Sequence, residues 1–146
     1  MGNRVAMQNV PLKGRALVEG AAQASALTSE EPLSFWGGYD QFTGEIIDRR
    51  HPLSGENAAG KILVLPASRG SSTTAAVLLE AVRQDNAPAV IITAGTDRFL
   101  TLAAIVAAEM YGRSPGIVSV DAADFAALAG AREIKVDADG TITRVA

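Results

Sequence analysis

The chain is predicted to fold as a single mixed α/β domain, and three observations carry that prediction. The run Lys61-Ile62-Leu63-Val64-Leu65 is apolar enough for a strand buried on both faces, and small or apolar residues then recur at Thr74, Val77, Leu78, Ala81 and Val82, one face of a helix. A second buried strand, Ala89-Val90-Ile91-Ile92-Thr93, follows, so strand, helix and strand form a parallel pair with a right-handed crossover. Finally, 146 residues with 48% hydrophobic and 20% charged content can build one core of ordinary size but hardly a second.

Taken in order, Met1 to Asn9 is polar and unpatterned, and loose order is expected over residues 1–12. Arg15 to Gly20 and Ala22 to Leu27 read as two short strands, broken by Glu30-Glu31-Pro32. Leu33 to Asp40 sets the only Trp, Trp36, beside Gly37-Gly38. Consecutive glycines permit positive φ or close approach to a ligand; a bulge with Trp36 packed in the core is the reading the pattern favours. Thr43-Gly44 is a turn before Glu45-Ile46-Ile47-Asp48, and His51-Pro52-Leu53-Ser54-Gly55 is another. His51 is the sole histidine, and a lone His in a turn reads as a hydrogen-bonded structural residue rather than a metal ligand.

Beyond the first helix, Asp85-Asn86-Ala87-Pro88 ends the helical pattern, and Gly95-Thr96-Asp97 opens a second helix with Thr96 or Asp97 as its cap. That helix, Phe99 to Tyr111, is apolar nearly all round, which requires a central position or one face given to a partner subunit. Ile117 to Val120 is a third strand, Asp121 opens a short helix through Phe125 and Leu128, and Glu133 to Val145 alternates around Asp139-Gly140, a hairpin.

Composition excludes several function classes. With a net charge of −3 and no cluster of Lys and Arg, the chain has no electrostatic footprint for nucleic acid. The absence of cysteine removes disulfides and thiolate ligands for zinc or iron–sulfur clusters. No apolar run reaches the ~20 residues of a membrane helix, and no signal-type segment opens the sequence, so a cytoplasmic protein without membrane contact is expected.

The chemistry is read in Pro66-Ala67-Ser68-Arg69-Gly70-Ser71-Ser72, between the first strand and first helix. Gly70 lets the backbone turn, Ser71 or Ser72 can cap the helix and leave N–H groups facing an anion, and Arg69 offers a fork for a carboxylate or phosphate. A helix start decorated by serines accounts for the same residues without any ligand. The segment lacks the Gly-Lys-Ser/Thr of a nucleotide phosphate loop, and no Gly-x-Ser-x-Gly elbow is present. Asp40, Glu45 and Asp48 fix no acid–base pair.

Leu33-Ser34-Phe35-Trp36-Gly37-Gly38, Thr43-Gly44-Glu45-Ile46-Ile47-Asp48 with His51-Pro52-Leu53, Gly60-Lys61-Ile62-Leu63-Val64 and Ser68-Arg69-Gly70-Ser71-Ser72 together resemble, in content and order, the aconitase X swivelling domain. The resemblance runs from about Gly14 to the C-terminus and implies one swivel domain over 1–146. It implies a swivelling β/β/α fold like the fourth domain of aconitase, working beside a large aconitase-like catalytic subunit that carries iron or an iron–sulfur cluster. This chain would itself bind no cofactor. By motif match Ser71 takes the role of catalytic base, with Ser72 as runner-up, while Arg69, Gly70 and Ser72 contact the substrate. The family dehydrates small hydroxy acids: cis-3-hydroxy-L-proline, giving pyrroline-2-carboxylate, or 5-phosphomevalonate. Phe35-Trp36 and Val77-Leu78-Leu79-Glu80 look like the hydroxyproline type, with the small subunit of phosphomevalonate dehydratase as alternative. From a different class, a non-catalytic binding or regulatory module would keep the fold with no physical need for both Ser71 and Arg69. A flavodoxin-like nucleotide domain rests on residues 61–93 alone, against a β-rich first half.

Overall fold

The computed structural model describes residues 10–70 and 72–146. Its centre is three parallel strands, β5 (Ile62–Leu65), β7 (Val90–Ala94) and β8 (Gly116–Val120), in the registers Ile62↔Val90 and Val90↔Gly116. Their near-continuous apolar sequence follows from burial on both faces. Leu63, Leu65, Ile91 and Ile117 point to one core, shared with helices α1 (Ser72–Arg83) and α2 (Arg98–Tyr111). Ile62, Val64, Val90, Ile92, Val118 and Val120 point to a second core on the opposite face, where chain length led us to expect only one, because the sheet is covered on both sides.

That second core is closed by an antiparallel ladder of β9 (Glu133–Val136) and β10 (Thr141–Arg144), which supplies Ile134, Val136 and Ile142, and by Leu128 just after the short helix α3 (Ala122–Ala127). Strand β3 (Ala22–Thr28) belongs to both layers. Its first half, Ala22 to Ser25, pairs antiparallel with β9, and Ala26 to Thr28 pairs parallel with β5. Helices, parallel sheet and antiparallel ladder are the β/β/α layers that the sequence led us to expect.

The sheet nearly closes on itself. β1 (Leu12–Lys13) pairs with β10 at one end of the strand order, and β2 (Arg15–Val18) pairs with β8 at the other. Only Gly14 separates them. Gly14 N–H donates to Gly140 O at 3.0 Å, and a Cβ on Gly14 would lie 2.8 Å from that same oxygen and press into Val118. Glycine is required by this close approach. The expected loose order over 1–12 falls mostly on residues 1–9, outside the described residues, whereas Leu12 is a strand residue paired with Ile142.

Helix α1 buries Thr74, Val77, Leu78, Ala81 and Val82, the face predicted from periodicity. Helix α2 begins at Asp97, whose carboxylate accepts the N–H groups of Phe99 and Leu100, and ends at Gly112 in the left-handed region. It buries Leu100, Ala103, Ala104 and Ala107 and leaves Phe99, Leu102, Ile105 and Met110 exposed. Among the described residues no helix is long and apolar enough to cross a membrane.

One sequence reading is corrected. Trp36 is 67% exposed rather than packed in the core. Phe35 and Tyr39 take the buried places, their rings stacked 5.2 Å apart, and the Tyr39 hydroxyl donates to Asn86 O at 2.6 Å. Gly38 makes a close approach to the carbonyl of Ser34 in its own turn, where a Cβ would clash.

Candidate functional site

The segment singled out from the sequence lies at the carboxyl ends of the parallel strands, the edge where open α/β sheets place their ligands. From Leu65 the chain passes through Pro66 and Ala67 into a two-residue strand, β6 (Ser68–Arg69), which pairs in parallel with β4 (Leu33–Ser34): Leu33↔Ser68 and Ser34↔Arg69. The pairing brings together the two stretches that looked most distinctive in sequence, 33–38 and 68–72. Neither strand was legible beforehand, because two residues carry no period.

Gly70 has φ +105°, a value that L side chains rarely adopt, and it turns the chain from β6 toward α1. The buried Thr74 hydroxyl donates back to Arg69 O at 3.3 Å across this turn. Ser72 is the first residue of α1 and is exposed. Ser71, the predicted base, lies outside the described residues.

Arg69 is exposed and lines a cleft of about 490 Å³ together with Glu31, Pro32, Asp48, Arg49, Arg50 and His51. Arg49 and Arg50 were not singled out from the sequence; the only signal for them is their position as a basic pair just before His51-Pro52. Among the described residues, none of the ion pairs engages Arg49, Arg50 or Arg69, so three guanidinium groups share one cleft with two carboxylates. Of the three acids noted in sequence, only Asp48 reaches it. Asp40 accepts the Phe42 N–H within its own turn, and Glu45 is an exposed residue bridged to Asn57.

His51 is the structural residue expected. It is buried, its Nδ1 accepts the N–H of Leu53 at 3.1 Å, and its Nε2 lies 3.2 Å from Glu31 O and 3.5 Å from Ser29 Oγ. With Nδ1 occupied as an acceptor, the ring proton sits on Nε2 and is donated to Glu31 O. The histidine thereby ties the Asp48-Arg49-Arg50 turn to the Glu30-Glu31-Pro32 turn.

Asp97 has a role that the sequence showed only in part. Besides capping α2 through Oδ1, its Oδ2 accepts both the backbone N–H and the hydroxyl of Ser68 at 2.7 Å each. Among the described residues no group of three or more His, Cys, Asp or Glu side chains is placed to hold a metal ion. A second cavity of about 550 Å³ lies between β3, Val64 and α3, with Glu30 as its single charged lining residue. Its lining carries no lysine or arginine. The arginine-lined cleft is the one equipped to bind a carboxylate or a phosphate.

Residues 11–144 match the aconitase X swivel domain family. Cis-3-hydroxy-L-proline dehydratase of Hypocrea jecorina is 40% identical over 138 residues, covering 94% of this chain and 23% of that protein. The small subunit of phosphomevalonate dehydratase from Methanothermobacter thermautotrophicus is 35% identical over 128 residues, covering 86% of this chain and 92% of that subunit. The crystal structure of Thermococcus kodakaraensis aconitase X in its holo-form superposes with a TM-score of 0.80 at 28% identity, covering 94% of this chain and 99% of that one. The chain thus spans less than a quarter of the hydroxyproline dehydratase that it resembles, and nearly the whole length of the archaeal small subunit. A β/β/α fold pinned at Gly14 and Gly140, an Arg69-Gly70 loop at its strand ends, and matches along almost its entire length agree on one conclusion: this chain belongs to the aconitase X swivel domain family.

Proposed function

We propose that this chain is the small, swivelling subunit of an aconitase X-type dehydratase that removes water from cis-3-hydroxy-L-proline, giving pyrroline-2-carboxylate, in company with a large aconitase-like subunit. The observation that carries the reading is the exposed Arg69, held on a two-residue strand at the mouth of the arginine-lined cleft. Relatives with this domain are named dehydratases, both as longer single chains and as separate small subunits.

In this reading Arg69 clamps the substrate carboxylate through two parallel N–H···O bonds, and Gly70 allows the tight turn that presents it. Ser71, with Ser72 as the alternative, accepts as its alkoxide the proton from the carbon bearing the carboxylate, while the hydroxyl on the neighbouring carbon leaves with its bonding pair and takes a proton from solvent to become water. The exposed apolar residues Phe99, Leu102 and Ile105 on α2 are where we expect the large subunit to cover this chain. We assign the iron or iron–sulfur centre to that large subunit, since this chain has no cysteine and, among the described residues, no group of three or more His, Asp or Glu side chains placed to hold a metal ion.

A second reading, the small subunit of a phosphomevalonate dehydratase, is favoured by one specific feature. Arg49 and Arg50 add two cations beside Arg69, more than one carboxylate needs and suited to a phosphate. The test is reconstitution: the purified chain is mixed with its cognate large subunit and offered each substrate. Turnover of cis-3-hydroxy-L-proline only by the mixture is expected. Turnover of 5-phosphomevalonate alone moves the assignment to the second reading, activity of the isolated chain refutes the two-subunit scheme, and an assembled but inert pair leaves a binding or regulatory module.

A further inference from the structure

Asp97 does more than an N-cap requires. Capping uses one side-chain oxygen, and Ser, Thr or Asn serves as well as Asp. Here Oδ1 takes that task, accepting from Phe99 N at 3.1 Å and Leu100 N at 3.0 Å. The other oxygen accepts two hydrogen bonds of 2.7 Å from Ser68, the residue before Arg69. Ionised acceptors make the shorter and stronger hydrogen bonds, and this residue is only 7% exposed. Beside the β4–β6 pairing, three other polar ties reach the same loop and are longer: Leu33 N to Ala67 O at 3.3 Å, Ala94 N to Pro66 O at 3.2 Å, and Thr74 Oγ1 to Arg69 O at 3.3 Å. The carboxylate of Asp97 therefore holds the loop more tightly than any of these three bonds.

We propose that Asp97 is a positioning residue for the active site: by bonding Ser68 with one oxygen and capping α2 with the other, it fixes the Ser68-Arg69-Gly70 loop against the start of α2 and so sets where Arg69 meets the substrate. The proposal rests on the dehydratase reading of this site. Its chemical content is the need for two acceptor oxygens. Asparagine has one acceptor, so it either caps α2 and turns its NH₂ toward the Ser68 N–H, or serves Ser68 and abandons the cap. Serine keeps the cap alone.

Three variants, Asp97→Ser, Ser68→Ala and the double change, test this in the complex with the cognate large subunit and in the full chain alone. Amide hydrogen exchange of the chain should show Ser68 exchanging at least about tenfold faster in Asp97→Ser while Phe99 and Leu100 stay protected by the retained cap. In the complex, kcat/KM per assembled molecule should fall roughly tenfold to 100-fold in Asp97→Ser, as expected for a misplaced binding group. Ser68→Ala should lose less, because its backbone N–H still binds Asp97. The double variant should be no worse than Asp97→Ser, since both changes break one link. Three results would overturn the proposal: an unaltered Ser68 amide, losses that multiply in the double variant, or normal turnover per assembled complex. A wild-type pair inactive on both substrates would defeat the functional reading, and the Ser68 amide would then decide whether Asp97 holds the loop.

Discussion

The ring of His51 is the pin between Leu53 and Glu31: Nδ1 accepts the Leu53 N–H at 3.1 Å and Nε2–H reaches Glu31 O at 3.2 Å. Both bonds are buried or partly so, and the turn that they fix carries Arg49 and Arg50 into the cleft. His51→Ala should cost about 1–3 kcal/mol, the range for stranding buried partners. It should also raise KM in the assembled enzyme. Urea unfolding with steady-state kinetics checks both, and an unchanged midpoint would remove the pin.

Ser71→Ala should abolish most of kcat in the assembled enzyme with folding and assembly nearly intact, because a base acts in the transition state. Ser72→Ala is the control. Should Ser71 serve only the helix, its loss costs about 0.5–2 kcal/mol of stability and turnover per folded molecule stays normal. Melting temperature and kcat measured on each variant separate the cases.

Arg69→Lys keeps the charge and loses the fork, so KM should rise about tenfold or more with either substrate. Arg49→Ala and Arg50→Ala distinguish the substrates. A phosphate ligand would suffer from both changes, while a lone carboxylate already held by Arg69 should tolerate at least one.

On α2, adjacent positions should behave oppositely. Ala103 is fully buried, so Ala103→Glu places an unpaired charge in the core and should leave little folded protein. Leu102 is 55% exposed, and Leu102→Glu should fold normally yet weaken association with the large subunit. Circular dichroism and light scattering of the mixture give the two readouts; undiminished association would move the interface off this helix.

Acid should loosen the chain. Hydrogen bonds from Arg83 and then Gln84 hold the Glu80 carboxyl down at about 2, against 4.5 ordinarily. The Thr141 backbone N–H, helped by Lys13, brings Asp139 from 3.8 to about 2. Both groups bind protons more weakly when folded, so their stabilisation is complete above about pH 4.5 and disappears as pH falls toward 2. The contributions are small because Asp139 is exposed and Glu80 remains partly accessible to solvent. Glu80→Gln with Asp139→Asn should narrow the gap between urea midpoints at pH 6 and pH 3; an identical gap would contradict the assignment.

Local regularity made much of this legible. The buried face of α1 follows from residue spacing, β5, β7 and β8 from their unbroken apolar runs, and Asp121 and Asp97 announce their helices as caps. What stayed hidden depends on distant partners. The β4–β6 pairing has no period, the second oxygen of Asp97 finds Ser68 only in three dimensions, and Arg49 and Arg50 gain meaning from a cleft completed by Arg69. Trp36 was misread because a large aromatic beside glycines suits a core and a surface alike.

The join at Gly14 also shapes the order in which the molecule can be made. Leu12 and Lys13 must wait for Ile142 and Thr141, and Arg15 and Ala16 for Ser119 and Val118, so these two strands find neighbours only after more than a hundred later residues are in place. Such long-range pairing slows folding, since a large loop must close before any bond rewards it. Until then β8 and β10 each present a bare edge, the kind that recruits strands from other chains. The strand Thr141–Arg144 and its partner Leu12–Lys13 therefore protect the domain from self-association, and deleting either should yield aggregates rather than a smaller domain.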